Sequence, residues 1–214
     1  MNPEAEAKQP DAEARLLEAA RRLFAEKGFD GTGVAEIARE AGVAKSLFFH
    51  YFRTKEAVLQ RIYQDFFRDS ETVQSHSFPA QHGAPSQDTE AFTHVMLAFL
   101  RRNELVLRIL MRESMGNTGS PSVFGVFEGS YATWKSWYAE RGFPPLAEPD
   151  GHIFVFFFTL LPCLTYILFD ESFAQHFGLD KSQLETRFVA FLSYTTRTLA
   201  QKLTTKPTKT DPQA

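Results

Sequence analysis

The sequence predicts an all-α protein in which an N-terminal three-helix helix-turn-helix domain precedes a larger helical domain, with about nine helices in total. Apolar residues recur at the three- and four-residue spacing of amphipathic helices, and glycine, proline or a capping residue separates the periodic segments. No segment shows a convincing strand-like alternation. We divide the chain into a flexible N-terminus (1–10), the helix-turn-helix domain (11–54), the larger helical domain (55–203) and a flexible tail (204–214).

The first four helices are short enough to be placed by their start and stop signals. We predict the first over 11–27, followed by two short helices over 34–41 and 45–52. The fourth begins after Thr54, whose hydroxyl can cap its N-terminus, and runs to about residue 74. Residues 75–86 contain two prolines, a glycine and three serines, which indicates a loop at a domain boundary.

The remaining helices are predicted from apolar stripes. The fifth lies around residues 92–99, the sixth over 105–115, the seventh around 127–138, the eighth over 150–169 and the ninth over 180–203. Pro162 is expected to kink the eighth helix, which would either open a gap for a ligand or fit a neighbouring helix. Because that segment is short for a membrane span and ends at Asp170, we expect a buried helix and no membrane partner.

The amino-acid composition limits the classes of protein to which this chain can belong. A net charge of −3 gives no whole-chain argument for nucleic-acid binding, so any such argument must be local. A single cysteine, Cys163, excludes an internal disulfide and fits a reducing cytoplasm. Residues 1–10 lack the apolar core of a secretory signal, and we expect a cytoplasmic protein. The 22 phenylalanines form either an aromatic core or the lining of an apolar cavity.

The third predicted helix carries the main functional signal. After the turn Gly42-Val43-Ala44, Phe48 and Phe52 are four residues apart and belong on the inner face. The outward residues are then Lys45, Ser46, Phe49 and His50, with Leu47 on the flank. An exposed phenylalanine is unusual on a solvated helix but can pack on thymine methyl groups in a major groove. Residues 41–61 also carry four basic residues against one acidic residue, a local net charge of +3.

Three runs of residues, 17–29, 34–45 and 49–56, together resemble the DNA-binding region of TetR/AcrR-family regulators. The resemblance covers about a quarter of the chain and implies roles for individual residues. It implies that Lys45, Ser46 and Leu47 face base edges and that Phe49, His50 and Tyr51 lie along the groove wall and backbone. It also implies that Lys55 binds phosphate, helped by a helix N-terminus, and that Thr32 contacts the DNA backbone.

Three positions depart from the family pattern. Gly33 stands where a capping hydroxyl is usual, so we expect Thr32 to take over that role. Ala44 replaces the usual serine cap of the third helix, which weakens the cap by roughly 0.5–2 kcal/mol. Phe49 replaces a common tyrosine and removes a hydroxyl directed at phosphate.

The larger domain is expected to bind a small molecule and to dimerise, as the resemblance implies. The candidate pocket residues are Met96, Phe99, Met111, Tyr131, Trp134, Phe157 and Leu161. The candidate residues of a two-fold four-helix interface are Phe154, Phe158, Leu184, Phe188, Phe191, Leu192, Thr195 and Leu199. The aromatic stripe that includes Tyr131 and Trp134 is either plain core or a ligand cage. The apolar faces of the eighth and ninth helices are covered either by a second copy of the chain or by helices five to seven.

These observations predict a dimeric repressor that binds a near-palindromic double-stranded DNA operator and is released by an apolar or aromatic effector. No nucleophile–base pair, phosphate loop or metal-ligand spacing occurs, so we expect neither an enzyme, nor a cofactor, nor a metal site, His50 included. The alternative is a helical hydrophobe-binding protein whose DNA-binding surface is weakened or lost.

Overall fold

The computed structural model describes residues 11–77, 89–116, 123–140 and 146–204, and within these ranges every regular element is helical. The helices are α1 Ala12–Lys27, α2 Val34–Glu40, α3 Lys45–Tyr51, α4 Lys55–Ser77, α5 Thr89–Arg102, α6 Glu104–Met115, α7 Val123–Glu140, α8 Asp150–Phe177 and α9 Lys181–Thr204. The all-α prediction is confirmed. The N-terminus (1–10), residues 205–214 and most of the predicted loop 75–86 lie outside the described residues, while 75–77 continue α4.

The first three helices enclose a small core. Leu16 and Phe24 of α1, Ile37 of α2 and Phe48 of α3 are all fully buried. Removal of each such side chain from water contributes about 1.5–3 kcal/mol, which holds α3 against α1 and α2. The face of α3 opposite Phe48 is thereby fixed toward solvent.

The larger domain is built around α5, α6 and α8. α9 packs on α5 and α8, α6 packs on α1 and α8, and α4 lies against α1, α5 and α7. The interior is aliphatic near its centre, with Leu97, Leu107, Ile109 and Leu164 almost completely buried. α4 and α6 therefore both connect this domain to the helix-turn-helix domain.

Helix α8 contains a π-helical segment, Phe156–Leu160, between two α-helical stretches, Asp150–Val155 and Leu161–Phe177. Pro162 follows directly at the start of the second stretch. Proline lacks an N–H group and its ring clashes with the carbonyl four residues earlier, so the wider π turn accommodates it. The helix continues past the predicted end at residue 169 because Asp170 is paired inside the fold, and it ends at Gly178, whose φ is +63°.

Within the described ranges, α8 is the one helix long and apolar enough to cross a membrane, with a mean hydropathy of 2.1 in its most apolar window. Core helices of globular proteins meet the same criterion. Since α8 contacts α5, α6 and α9, packing within the protein accounts for part of its apolar composition.

Candidate nucleic-acid interface

A tight turn sets α3 across α2. Gly42 adopts a φ of +63°, a conformation that glycine tolerates at little cost, and its N–H donates to the Arg39 carbonyl at 3.1 Å. The N–H of Val43 donates to the Ala38 carbonyl at 3.0 Å, and its side chain packs against the core. This is the predicted helix-turn-helix turn, with Val43 as its apolar plug.

The orientation of α3 agrees with the sequence prediction. Phe48 is fully buried and Phe52 is 6% exposed, whereas Lys45, Ser46 and His50 are exposed. Leu47 and Tyr51 are half-buried at the flanks of the exposed face.

Phe49 occupies the centre of the exposed face and is 48% exposed. Its ring lies edge-on to Phe48, with 5.5 Å between centroids, and the Lys45 ammonium lies 6.0 Å from the Phe49 centroid. An ammonium group can bind phosphate or a base edge, while the adjacent ring offers an apolar contact for a thymine methyl. The face thus carries both chemistries that a major groove requires.

The ends of the short helices confirm part of the capping analysis. Ala44 has extended backbone angles and makes no side-chain cap to α3, and Gly33 likewise makes none to α2. By contrast, the Thr54 hydroxyl accepts a hydrogen bond from the Ala57 N–H at 3.2 Å, as predicted for the N-cap of α4. The Glu56 backbone N–H and this hydroxyl lower the pKa of the Glu56 carboxyl.

Thr32 does not reach the surface expected for a DNA contact. It is 2% exposed, and its hydroxyl donates to the carbonyl of Gly28 at 2.9 Å and to that of Leu23 at 3.3 Å. The hydroxyl therefore closes the end of α1. The predicted backbone contact and the predicted cap of α2 by the Thr32 side chain are both corrected, because the side chain is used inside the domain.

Lys55 also departs from its predicted role. Its ammonium donates to the Phe29 carbonyl at 2.8 Å and to the Thr32 carbonyl at 3.3 Å, and it lies 4.2 Å from the centroid of the Phe29 ring. The side chain is half-buried. The ammonium is directed at the loop between α1 and α2, and not at a DNA phosphate as the sequence resemblance implied. Tyr51 likewise turns toward the start of α1, where its hydroxyl lies 3.5 Å from Asp11 Oδ1.

The predicted pocket residues are only partly brought together. Phe99 and Tyr131 are buried, and Met96, Met111 and Leu161 are half-buried. The Trp134 side chain lies outside what the structure describes. Phe157 is 55% exposed on the outer face of α8, which corrects its assignment to an interior pocket.

An aromatic cluster that the sequence did not indicate lies between α7 and the start of α8. The rings of Tyr131 and His152 are 4.2 Å apart, and Phe127 lies 5.6 Å from His152 and 5.3 Å from Phe156. A lone histidine 21 positions from Tyr131 carries no sequence signal for such a contact. Where the structure describes the chain, no three His, Cys, Asp or Glu side chains converge as a metal site.

The predicted interface residues divide into outer and inner positions. Phe158, Phe191 and Thr195 are exposed, Leu184, Phe188 and Leu199 are half-buried, and Phe154 and Leu192 are buried within the protomer. Phe154 and Phe158 are four residues apart and would share a face of a regular α-helix. The π segment breaks that spacing, so Phe154 turns inward. The π segment leaves both Phe157 and Phe158 exposed.

Both the sequence and the fold of this chain are similar to those of known proteins. The family model described as bacterial regulatory proteins, tetR family, matches residues 16–62, which contain α1 to α3 and the start of α4. The fold of a transcriptional regulator of the TetR/AcrR family from Aquifex aeolicus VF5 covers 90% of this chain and 99% of its own, with a TM-score of 0.63 and 22% identity. Residues 16–62 thus match the tetR family model, and the chain as a whole has the fold of the solved TetR/AcrR-type regulators.

The curated relatives match only part of this chain. The transcriptional repressor NemR of Escherichia coli K12 is 39% identical over 70 residues, which are 30% of this chain and 35% of NemR. The A-factor receptor protein of Streptomyces griseus is 28% identical over 141 residues, 65% of this chain and 45% of that protein. Across curated TetR-type relatives the matched segment spans 16% to 45% of their length. They are named as regulators or receptors, in agreement with the prediction that the chain is no enzyme.

Proposed function

We propose that this protein is a dimeric transcriptional repressor of the TetR/AcrR type that binds double-stranded DNA through α3 and releases it on binding a small apolar or aromatic effector. The observation that carries the proposal is the division of α3 between a fully buried Phe48 and an exposed face of Lys45, Ser46, Phe49 and His50. A short helix held this firmly by its inner aromatics has its outer side chains pre-positioned for a groove.

The electrostatics support DNA rather than another partner for this face. Residues 41–61 carry a net charge of +3, against −3 for the whole chain. Lys45 and Arg53 are exposed on and just after α3, whereas Lys55 and Arg61 are held by contacts within the protein. Release of counterions from DNA should give an affinity that falls steeply with salt. Phe49 replaces a hydroxyl donor by an apolar ring, which favours contact with a thymine methyl over contact with phosphate.

The outer faces of α8 and α9 support the dimer. Large apolar side chains exposed there are Ile153, Phe157, Phe158, Phe169, Phe173, Phe177, Phe191 and Tyr194. Soluble monomers rarely expose so many large apolar side chains on two neighbouring helices, and a second copy packed as a four-helix interface would cover them. Two-fold symmetry would place the two α3 helices about 34–36 Å apart, so the operator should be a near-palindrome.

The effector is proposed from the aromatic content of the larger domain. Phe66, Phe99, Phe127, Tyr131 and Phe156 are buried between α4 and α8, so an apolar or aromatic molecule that entered this region would contact aromatic rings. The names of NemR, a repressor, and of the A-factor receptor protein agree with a repressor that senses a small molecule. A coupling of about 1–3 kcal/mol between effector and DNA would suffice for release. Such a regulator would act in the cytoplasm.

Fluorescence anisotropy with overlapping duplexes from the DNA upstream of the gene tests the first part of the proposal. We expect tight binding of one duplex at low salt and weak binding of a scrambled duplex of equal length. Phe49→Ala should weaken the specific complex, whereas Gln60→Ala, a change of an exposed and uncharged residue on α4, is the surface control.

Loss of DNA recognition is the competing outcome. Gly33 and Ala44 provide no side-chain caps for α2 and α3, which leaves these two helices less stable and favours the alternative of a hydrophobe-binding protein. No binding to any upstream duplex, together with a thermal shift caused by apolar compounds, would support that alternative. Binding that an apolar ligand abolishes would support the repressor.

A further inference from the structure

The loop between α1 and α2, residues 28–32, is held from two sides by helices that belong to the larger domain. From α4, Lys55 donates to the carbonyls of Phe29 and Thr32 at 2.8 and 3.3 Å. From α6, the carboxylate of Glu113 accepts from the Phe29 N–H at 3.4 Å. One residue, Phe29, thus has its N–H bound by a side chain of one helix and its C=O by a side chain of another.

Further contacts between the end of α6 and this loop surround the Glu113 hydrogen bond. Glu113 is 8% exposed, although it is a carboxylate at the far end of a helix whose inner face lies in the core of the larger domain. Its neighbour Arg112 donates to the Glu26 carbonyl at 3.2 Å, at the end of α1. A Cβ atom at Gly28, where φ is +81°, would lie 2.8 Å from the Arg112 Nε. The C-terminal end of α6 is therefore fitted to the backbone of this loop.

The loop leads directly into α2, and α2 carries α3. Any change in the position of Phe29 shifts the start of α2 at Val34, and the buried contacts of Ile37 pass the shift to α3. A displacement of about 1 Å at a positioning contact is enough to weaken a binding geometry markedly. The side chains that hold the loop are thus placed to control where the DNA-binding face lies.

We propose that Lys55 and Glu113 are positioning residues for DNA binding: they bind the Phe29 peptide groups from α4 and α6 and fix α3 for the groove without contacting DNA. The inference rests on the proposed DNA-binding function. It reverses the role that the family resemblance implies for Lys55, since an ammonium directed at two backbone carbonyls is not directed at phosphate. It also gives the larger domain a connection to α3 through α6, in addition to α4.

Salt dependence separates the two roles of Lys55. Loss of a phosphate-binding lysine reduces the slope of log K against log salt by about 1. Loss of a positioning lysine lowers affinity while leaving that slope nearly unchanged. We expect Lys55→Met to weaken binding about three- to tenfold with an unchanged slope. Lys45→Met, which removes an exposed ammonium from α3, should reduce the slope and serves as the control.

Glu113 provides a second, independent test of the proposal, because it lies on α6 in the larger domain. Glu113→Ala should weaken operator binding about three- to tenfold at a temperature well below the unfolding midpoint. Glu113→Gln keeps an acceptor oxygen for the Phe29 N–H and should restore most of the affinity. Glu104→Ala, on the same helix, removes an ion pair with Arg108 and should leave affinity unchanged.

A measurement without DNA keeps this inference separate from the proposed function. Hydrogen exchange by mass spectrometry should show faster exchange over residues 28–32 and 45–51 in both Lys55→Met and Glu113→Ala. If the wild-type protein binds no duplex, the proposed function fails, and the exchange result alone decides whether these residues position α3. A slope reduced by about one in Lys55→Met, or unchanged affinity and exchange in Glu113→Ala, would overturn the inference.

Discussion

The rings of Phe48 and Phe49 meet edge-on with 5.5 Å between their centroids, although Phe48 is fully buried and Phe49 is 48% exposed. Two adjacent phenylalanines on one short helix thus serve opposite sides of the domain. Phe48 packs against α1 and α2, and Phe49 is supported from below by Phe48 while its outer edge is free to contact a ligand. The exposed ring is fixed in place before DNA arrives, which lowers the entropic cost of binding.

Alanine substitutions at these two positions should therefore separate stability from binding. Phe48→Ala removes a buried ring and should lower the free energy of unfolding by about 3–5 kcal/mol. Phe49→Ala should change the free energy of unfolding by less than about 0.5 kcal/mol, as is usual for surface positions, and should weaken operator binding. Urea unfolding followed by circular dichroism, combined with anisotropy on the same samples, checks both. Equal destabilisation by the two substitutions would contradict the division of roles.

How far the sequence predicted this site depends on the range of the interactions involved. The orientation of α3 follows from Phe48 and Phe52, four residues apart on one helix, and was predictable. The resemblance placed Thr32 on DNA, although its hydroxyl bonds locally to the Gly28 carbonyl. The role of Lys55 was not predictable, because it depends on where the loop after α1 packs against α4. Local spacing carries no information on such a contact.

The interface residues show a second limit. With 3.6 residues per turn along α8, Phe154 and Phe158 would share one face. The π segment Phe156–Leu160 contains a wider turn, and Phe157 joins the exposed side while Phe154 is buried. Pro162 was the available signal for an irregularity, but a proline predicts a kink as readily as a π turn.

A missing cap on α3 offers a gain in stability. Ala44 has the extended backbone conformation of an N-cap residue but no side-chain acceptor. We expect Ala44→Ser to raise the free energy of unfolding by about 0.5–2 kcal/mol and to strengthen operator binding, because α3 begins at the next residue. Ala98→Ser, at an exposed mid-helix position of α5, is the matched control and should be neutral or slightly destabilising. A lower unfolding midpoint for Ala44→Ser would show that the turn has no room for the cap.

The exposed aromatics of α8 and α9 predict the effect of charge on assembly. Phe191 is 72% exposed and Phe157 is 55% exposed. If a second copy covers them, Phe157→Glu and Phe191→Glu should each weaken self-association at least about a hundredfold, because an unpaired carboxylate would be buried. Thr186→Glu lies roughly 140° around α9 from Phe191 and serves as the control. Sedimentation velocity over a concentration series measures the dissociation constants, and unchanged values for both phenylalanine variants would exclude this face as the interface.

Three charged residues tie α5, α8 and α9 together at one end of the larger domain. Arg101 donates to Asp170 at 3.1 Å and to Glu185 at 2.7 Å, and Asp170 is 7% exposed. Arg101→Met should lower the free energy of unfolding by about 1–3 kcal/mol, since Asp170 would lose a hydrogen-bonded partner while Arg101 itself is 39% exposed and partly screened. Arg102→Met, the exposed neighbour, should have little effect. Urea denaturation of both variants in the same buffer makes the comparison, and equal midpoints would contradict it.

Cys163 predicts a chemical property of the folded state. Complete burial raises the pKa of its thiol to about 12, because the apolar interior disfavours the thiolate. Since the thiolate is the reactive form, the folded protein should react with an aromatic disulfide reagent at pH 8 only as fast as it opens, and urea should release one reactive thiol per chain. The raised pKa also means that ionisation favours the unfolded chain, so this contribution to stability is complete below about pH 9 and declines as the pH rises toward 12. Cys163→Ala should lose that part of the alkaline decline. Rapid labelling of the native protein at pH 8 would contradict this prediction, because it would show that the Cys163 thiol is accessible in the folded state.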